Sequence, residues 1–178
     1  MPLVVAFAGK IGSGKTTITK SLAEALGWSR TGFGDYVRKV VREQGLASTR
    51  ENLQRVGTEM LRRDVNNFCK SVLSNGGWQP GENLIIDGLR HVETIEVIRK
   101  AVRPADLRTV YIYVPEKARL ARLRQRGDGD EGTISNVERH SSEQQVDSIL
   151  RSRVDLLVEG SRPVEAIVAE LAEWVRTQ

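Results

Sequence analysis

Leu3-Val4-Val5-Ala6-Phe7-Ala8-Gly9-Lys10-Ile11-Gly12-Ser13-Gly14-Lys15-Thr16 decides how this chain folds. Six apolar residues without polar alternation predict a strand buried on both faces. Gly9 to Thr16 then match G-x-x-x-x-G-K-[ST] in full. Glycines at these positions let several backbone N–H groups aim at one cluster of anionic oxygens. A helix is predicted over Thr17–Leu26, with Ile18, Leu22 and Leu26 at helical spacing and Gly27 as its stop. Its N-terminus adds a favourable dipole for an anion. Gly9, Gly12, Ser13, Gly14, Lys15, Thr16 and Thr17 are therefore expected to cradle the phosphates of ATP. Lys15 would reach the β- and γ-phosphates, and Thr16 would offer its hydroxyl to Mg²⁺. A glycine-rich stretch can be only a tight turn. Here a buried strand precedes it and an amphipathic helix follows, which is the context the phosphate motif requires.

Further along, apolar runs alternate with helical patterns. Trp28–Phe33, Asn83–Asp87, Thr109–Val114 and Val154–Val158 read as strands. Helices are expected over Asp35–Gln44, over one long stretch bearing Leu53, Val56, Met60, Leu61 and Val65, around Val92–Ala101, from Pro115 to about Arg126, and after Pro163. Ser48 with Glu51 reads as a capping box for the long helix. Strands that alternate with helices predict an α/β fold, a five-stranded parallel sheet with helices on both faces. Asp87 follows the apolar Leu84-Ile85-Ile86 and is the expected carboxylate on the metal side.

Bulk composition bounds the rest. The 178 residues, 39% hydrophobic and 28% charged, suit one domain with its own core. A net charge of +4 is too mild, without a clustered basic stripe, to point to nucleic acid. No apolar run is long enough for a membrane span, and Met1–Ala8 lacks the basic leader and cleavage site of a signal peptide. The lone Cys69 excludes an internal disulfide and fits a reducing cytoplasm; it reads as a buried structural thiol. Of 27 basic residues 20 are arginine, whose planar fork suits phosphate oxygens, although codon bias alone would give the same count.

With these motifs in place the chain resembles the nucleoside-monophosphate-kinase-like group of P-loop kinases, which includes adenylate kinases, deoxynucleoside monophosphate kinases and dephospho-coenzyme A kinases. The resemblance runs from Leu3 to the closing helix and implies the P-loop NTPase fold. Gly34-Asp35-Tyr36-Val37-Arg38 and Asp87-Gly88-Leu89-Arg90 resemble the segments that carry acceptor-side arginines, which implies that Arg38 and Arg90 bind the acceptor. Val114-Pro115-Glu116 with Arg122 and Arg126, and Arg139 beyond the acidic Gly127–Gly132 loop, resemble a lid whose arginines face the transferring phosphates. Arg119 and Arg124 are read as solvent-facing or at the sheet edge. The implied layout is one domain over 1–178, with a core of 1–32, 79–126 and 150–178, an acceptor-binding insertion over about 33–78, and a lid over about 127–145.

The expected activity is ATP-dependent transfer of the γ-phosphoryl group to a small nucleotide. Ser48–Arg62 resembles the R-x-x-L-Q-x-x-G-T-E segment of viral-type deoxynucleoside monophosphate kinases and favours a (deoxy)nucleoside monophosphate. A dephospho-coenzyme A kinase-like transfer to a hydroxyl is the alternative. A hydroxyl acceptor needs a base, and Asp35 is the one candidate; it reads equally well as the N-cap of its helix. Gln54, Thr58 and Glu59 could read a base edge, and Phe33, Tyr36, Phe68 and Trp78 could stack on one. A nucleotide-binding switch or ATPase with a macromolecular partner is the alternative of another class, but no N-K-x-D is found, and the sensor elements of AAA-type ATPases are not recognisable in so short a chain. A monomer or homodimer, with no nucleic-acid or membrane partner, is expected.

Overall fold

The computed structural model describes residues 1–125 and 149–178. Five strands, β1 (Leu3–Ala8), β2 (Ser29–Gly32), β3 (Leu84–Leu89), β4 (Asp106–Tyr113) and β5 (Leu156–Glu159), form one sheet. Their order is β2-β3-β1-β4-β5, and every neighbouring pair is parallel. The most apolar strand thus sits in the middle, where both of its faces and both of its edges are covered.

The two faces separate by parity, because successive side chains in a strand point to opposite sides. Leu3, Val5 and Phe7 join Ile85, Val110 and Ile112 against α1 (Lys15–Leu26) and the closing helix α7 (Val164–Arg176). Val4, Ala6 and Ala8 join Leu84, Ile86 and Tyr111 under α2 (Phe33–Glu43), α4 (Val65–Asn75) and α5 (Val92–Ala101). Cys69 is fully buried in this second core, and burial pushes its thiol up to about 12, so it is an unreactive packing group as expected. Among the described residues, no helix is long and apolar enough to cross a membrane.

The sequence reading needs three corrections of helix boundaries. The long helix is two helices, α3 (Arg50–Arg63) and α4, divided at Asp64. Asp64 is extended, with φ −165° and ψ 96°, and its carboxylate accepts from the Asn67 N–H at 2.9 Å, so it ends one helix and caps the next. Thr49, not Ser48, caps α3, accepting from the Asn52 N–H at 3.2 Å. Finally, α2 begins at Phe33 behind Gly32, which places Asp35 inside its first turn and removes the N-cap role foreseen for it.

Candidate active site

The strand-to-helix turn after β1 is built on glycines with positive φ: Gly9 at 147°, Gly12 at 83° and Gly14 at 85°. Gly14 stands at the N-cap of α1 in the left-handed conformation, which a side chain would strain. A Cβ on Gly9 would lie 2.5 Å from the Ile112 carbonyl, so this backbone is pressed against β4. Lys15 is buried and its Nζ donates to the carbonyls of Gly9 and Lys10 and to Ser13 Oγ, folding the ammonium back along the turn.

β3 brings Asp87 to this turn. The strand runs through Asp87 to Leu89, and its pairing with β1 shifts register after Asp87, skipping Gly88 (φ 86°). Asp87 is buried within the strand rather than at its end, and its Oδ2 accepts from Thr16 Oγ1 at 2.8 Å. A hydroxyl and a carboxylate side by side are hard oxygen donors that fit Mg²⁺, an ion usually held by one or two carboxylates together with substrate phosphates and water. Among the described residues there is no cluster of three or more His, Cys, Asp or Glu side chains suited to a metal. Gly12, Gly14, Lys15, Thr16 and Thr17 line a cleft of about 240 Å³ with Asp35, Arg38, Arg50, Asp87 and Arg90.

A second cleft of about 460 Å³ adjoins it. Phe33, Val37, Leu53 and Phe68 give it an apolar lining, while Gln54 and Thr58 contribute polar groups. Phe33 and Phe68 meet edge to face, with ring centroids 5.3 Å apart. Arg38, Arg50 and Arg90 line both clefts and so stand on their common wall. Burial lowers the Arg90 guanidinium from its ordinary value; Asp87 opposes this, and the charges of Arg50 and Arg38 add to it. Arg90 stays protonated, as arginine does in proteins, so the wall is strongly cationic. Glu59 is not part of it: its side chain is 67% exposed and faces Arg55 on the outer side of α3. Trp78 is buried with its Nε1 donating to the Glu82 carbonyl, away from the cleft.

Asp35 is neither a helix cap nor an unengaged base. Its Oδ1 accepts from Arg38 Nη2 at 2.6 Å and its Oδ2 from Arg30 Nη1 at 3.0 Å. Burial alone would raise its carboxyl, but the hydrogen bond from Arg38 and the charge and hydrogen bond of Arg30 outweigh it and hold the carboxyl below its ordinary value.

Helix α6 (Glu116–Gln125) lies over the glycine turn. Arg122 donates to the carbonyls of Ser13 at 3.4 Å and Gly160 at 3.0 Å. Arg119, read from the sequence as solvent-facing or at the sheet edge, is 2% exposed and donates to the Ile11 carbonyl at 3.1 Å, with its stem against Gly12. Arg119, Arg122 and Arg124 recur along this one helix, and the structure turns Arg119 inward beside Arg122 where the sequence had singled out Arg122. Arg126, Arg139 and the expected lid over about 127–145 lie outside the described residues. Two site residues were missed altogether. Arg50 was visible only as one letter of a longer resemblance, and Arg30 sits in a short, weakly patterned strand with no motif around it.

Residues 5–144 match the AAA-domain family, and relatives among known proteins are UPF0200 proteins. The chain belongs to this family. The UPF0200 protein of Aeropyrum pernix is 37% identical over 124 residues, 70% of this chain and 65% of that protein, so the alignment spans just under two thirds of the relative's length. AAA-type ATPases are a class that the short chain had argued against, while solved structures of like fold include small-molecule kinases. A shikimate kinase from Aquifex aeolicus superposes with a TM-score of 0.59 at 16% identity, covering 98% of this chain and 97% of its own. A gluconokinase from Sinorhizobium meliloti gives 0.61 at 17% identity, covering 99% and 97%. The chain therefore has the P-loop kinase fold, with the five-stranded parallel sheet expected from its sequence.

Proposed function

We propose that this protein transfers the γ-phosphoryl group of ATP to the phosphate of a (deoxy)nucleoside monophosphate. The observation that carries the reading is the wall shared by the two clefts, where Arg38, Arg50 and Arg90 stand between the phosphate turn and an apolar recess. An acceptor with an anionic end and a flat, largely apolar body matches that layout. Its phosphate would meet the three guanidiniums, and its base would enter the recess lined by Phe33, Val37, Leu53 and Phe68 with Gln54 and Thr58 in reach.

In this reading an acceptor phosphate oxygen forms a bond to the γ-phosphorus as the bond to the bridging β–γ oxygen breaks, leaving ADP and a nucleoside diphosphate. Lys15 serves the β- and γ-phosphates, and Arg122 neutralises charge from the side of α6. Thr16 and Asp87 would hold Mg²⁺, whose charge would offset that of the triphosphate. A phosphate acceptor is already anionic and needs no base. That suits Asp35, whose two oxygens are both engaged by guanidiniums and whose lowered carboxyl makes it a poor proton acceptor. A hydroxyl acceptor of the kind dephospho-coenzyme A offers, or the small acids that the shikimate kinase and gluconokinase are named for, could use the arginine end. Among the described residues it would find Asp35 already engaged by two guanidiniums, and the small acids would leave the apolar recess unfilled.

The test is ADP production from Mg·ATP against ribo- and deoxynucleoside monophosphates, dephospho-coenzyme A, shikimate and gluconate. Stimulation by a nucleoside monophosphate, with its diphosphate as product, is expected. Stimulation by hydroxyl acceptors alone, or hydrolysis indifferent to every acceptor, would overturn the proposal.

A further inference from the structure

Arg30 stands on β2 and lines neither cleft, yet its side chain is only 14% exposed and every nitrogen of its guanidinium is engaged. Nε donates to Thr19 Oγ1 at 3.0 Å, Nη1 to Asp35 Oδ2 at 3.0 Å and Nη2 to Asp87 Oδ2 at 2.6 Å. Thr19 is itself fully buried and donates to the Thr16 carbonyl at 3.2 Å. A rigid planar fork is what reaching three separate acceptors requires; an ammonium on a flexible stem is a single point charge. The guanidinium also separates two carboxylates that would otherwise repel across its width.

The contacts form one line across the site. Thr16 donates to Asp87, Asp87 also accepts from Arg30, Arg30 donates to Asp35, and the other oxygen of Asp35 accepts from Arg38. The line begins on the phosphate turn and ends on the acceptor-side wall. Arg38 is exposed and on a long side chain, so without a holder it would lose rotamer freedom on meeting an acceptor.

We propose that Arg30 is a positioning residue that fixes Asp35, and through it Arg38, in the orientation that receives the acceptor's phosphate, and keeps that arginine in register with Asp87 on the metal side. The inference rests on the phosphotransferase reading above. Arg30 touches no substrate in this scheme; it acts through Asp35.

A double-mutant cycle tests it, using the nucleoside monophosphate that the acceptor panel identifies. Steady-state KM for acceptor, KM for Mg·ATP and kcat are measured for the native protein, Arg30→Gln, Arg38→Gln and the double variant, with Arg30→Lys beside them. Arg30→Gln is expected to raise the acceptor KM roughly tenfold while the Mg·ATP KM moves less than about threefold. Arg30→Lys is expected not to restore it. In the Arg38→Gln background, Arg30→Gln should change the acceptor KM by less than about twofold, because its route to the acceptor is already gone. Additive effects, restoration by lysine, or equal changes in both KM values would overturn the inference. If Arg30→Gln does not fold, Arg30→Lys, which keeps the charge without the fork, carries the same cycle. Should no nucleoside monophosphate stimulate the native protein, the functional reading falls and this inference with it. Stimulation together with an additive cycle removes this inference alone.

Discussion

Asp35 shows how a residue can be conspicuous in the sequence and still have its role set by distant partners. Following Gly34 and close behind a weak strand, it could be a cap or a base. The structure makes it an anchor, because Arg30 and Arg38 each take one of its oxygens. The sign of its pH dependence follows. A carboxyl held below its ordinary 3.8 in the folded protein stabilises the fold fully above that value, and the contribution is lost as pH falls through the lowered native value. Asp35→Asn is therefore expected to lower the urea midpoint at neutral pH, and the gap between variant and native should close as the pH is taken well below 3.8. A gap of constant size down the acid range would show that the pairing with Arg30 and Arg38 does not survive in solution. Arg30 itself was illegible because nothing local marks it; its significance lies in Thr19, Asp35 and Asp87, which the chain brings together only when β2 and β3 pair.

At the scale of elements, the middle of the sheet was readable because its three strands carry their own evidence. Leu3–Ala8 is continuously apolar, and Leu84–Ile86 and Val110–Ile112 repeat the pattern. The division at Asp64 was not readable, since Met60, Leu61 and Val65 keep a helical period across it and aspartate is no obligatory breaker. Helix α3 holds another feature of this kind. Gly57 is central in Arg50–Arg63, where glycine costs about 1 kcal/mol relative to alanine. A Cβ there would meet the Val37 methyls at 3.6 and 3.8 Å, ordinary contact distances, so the packing of α3 on α2 does not demand glycine. Gly57 does line the apolar cleft. Gly57→Ala is accordingly expected to raise thermal stability by up to about 1 kcal/mol while weakening acceptor use. Greater stability with an unchanged acceptor KM would show that the bare backbone has no part in seating the acceptor.

For the whole molecule, a ligand that binds only the folded chain must stabilise it, by about 2.7 kcal/mol at a hundred times its Kd. Mg·ATP is expected to raise the melting temperature of the native protein, and Lys15→Ala to abolish that rise while melting normally without ligand, since the Lys15 bonds to Gly9, Lys10 and Ser13 stay within the glycine turn rather than tying it to the core. A ligand-dependent rise that survived the substitution would move the phosphate site elsewhere. The position of β1 at the centre of the sheet also bears on how the chain is made. Leu3–Ala8 emerges from the ribosome well before its partners, β3, beginning at Leu84, and β4, beginning at Asp106. At roughly 5–20 residues per second the nascent protein carries this wholly apolar segment for several seconds or more before either neighbour exists. The stretch that makes the best centre for the finished sheet is thus the one most in need of shelter during synthesis.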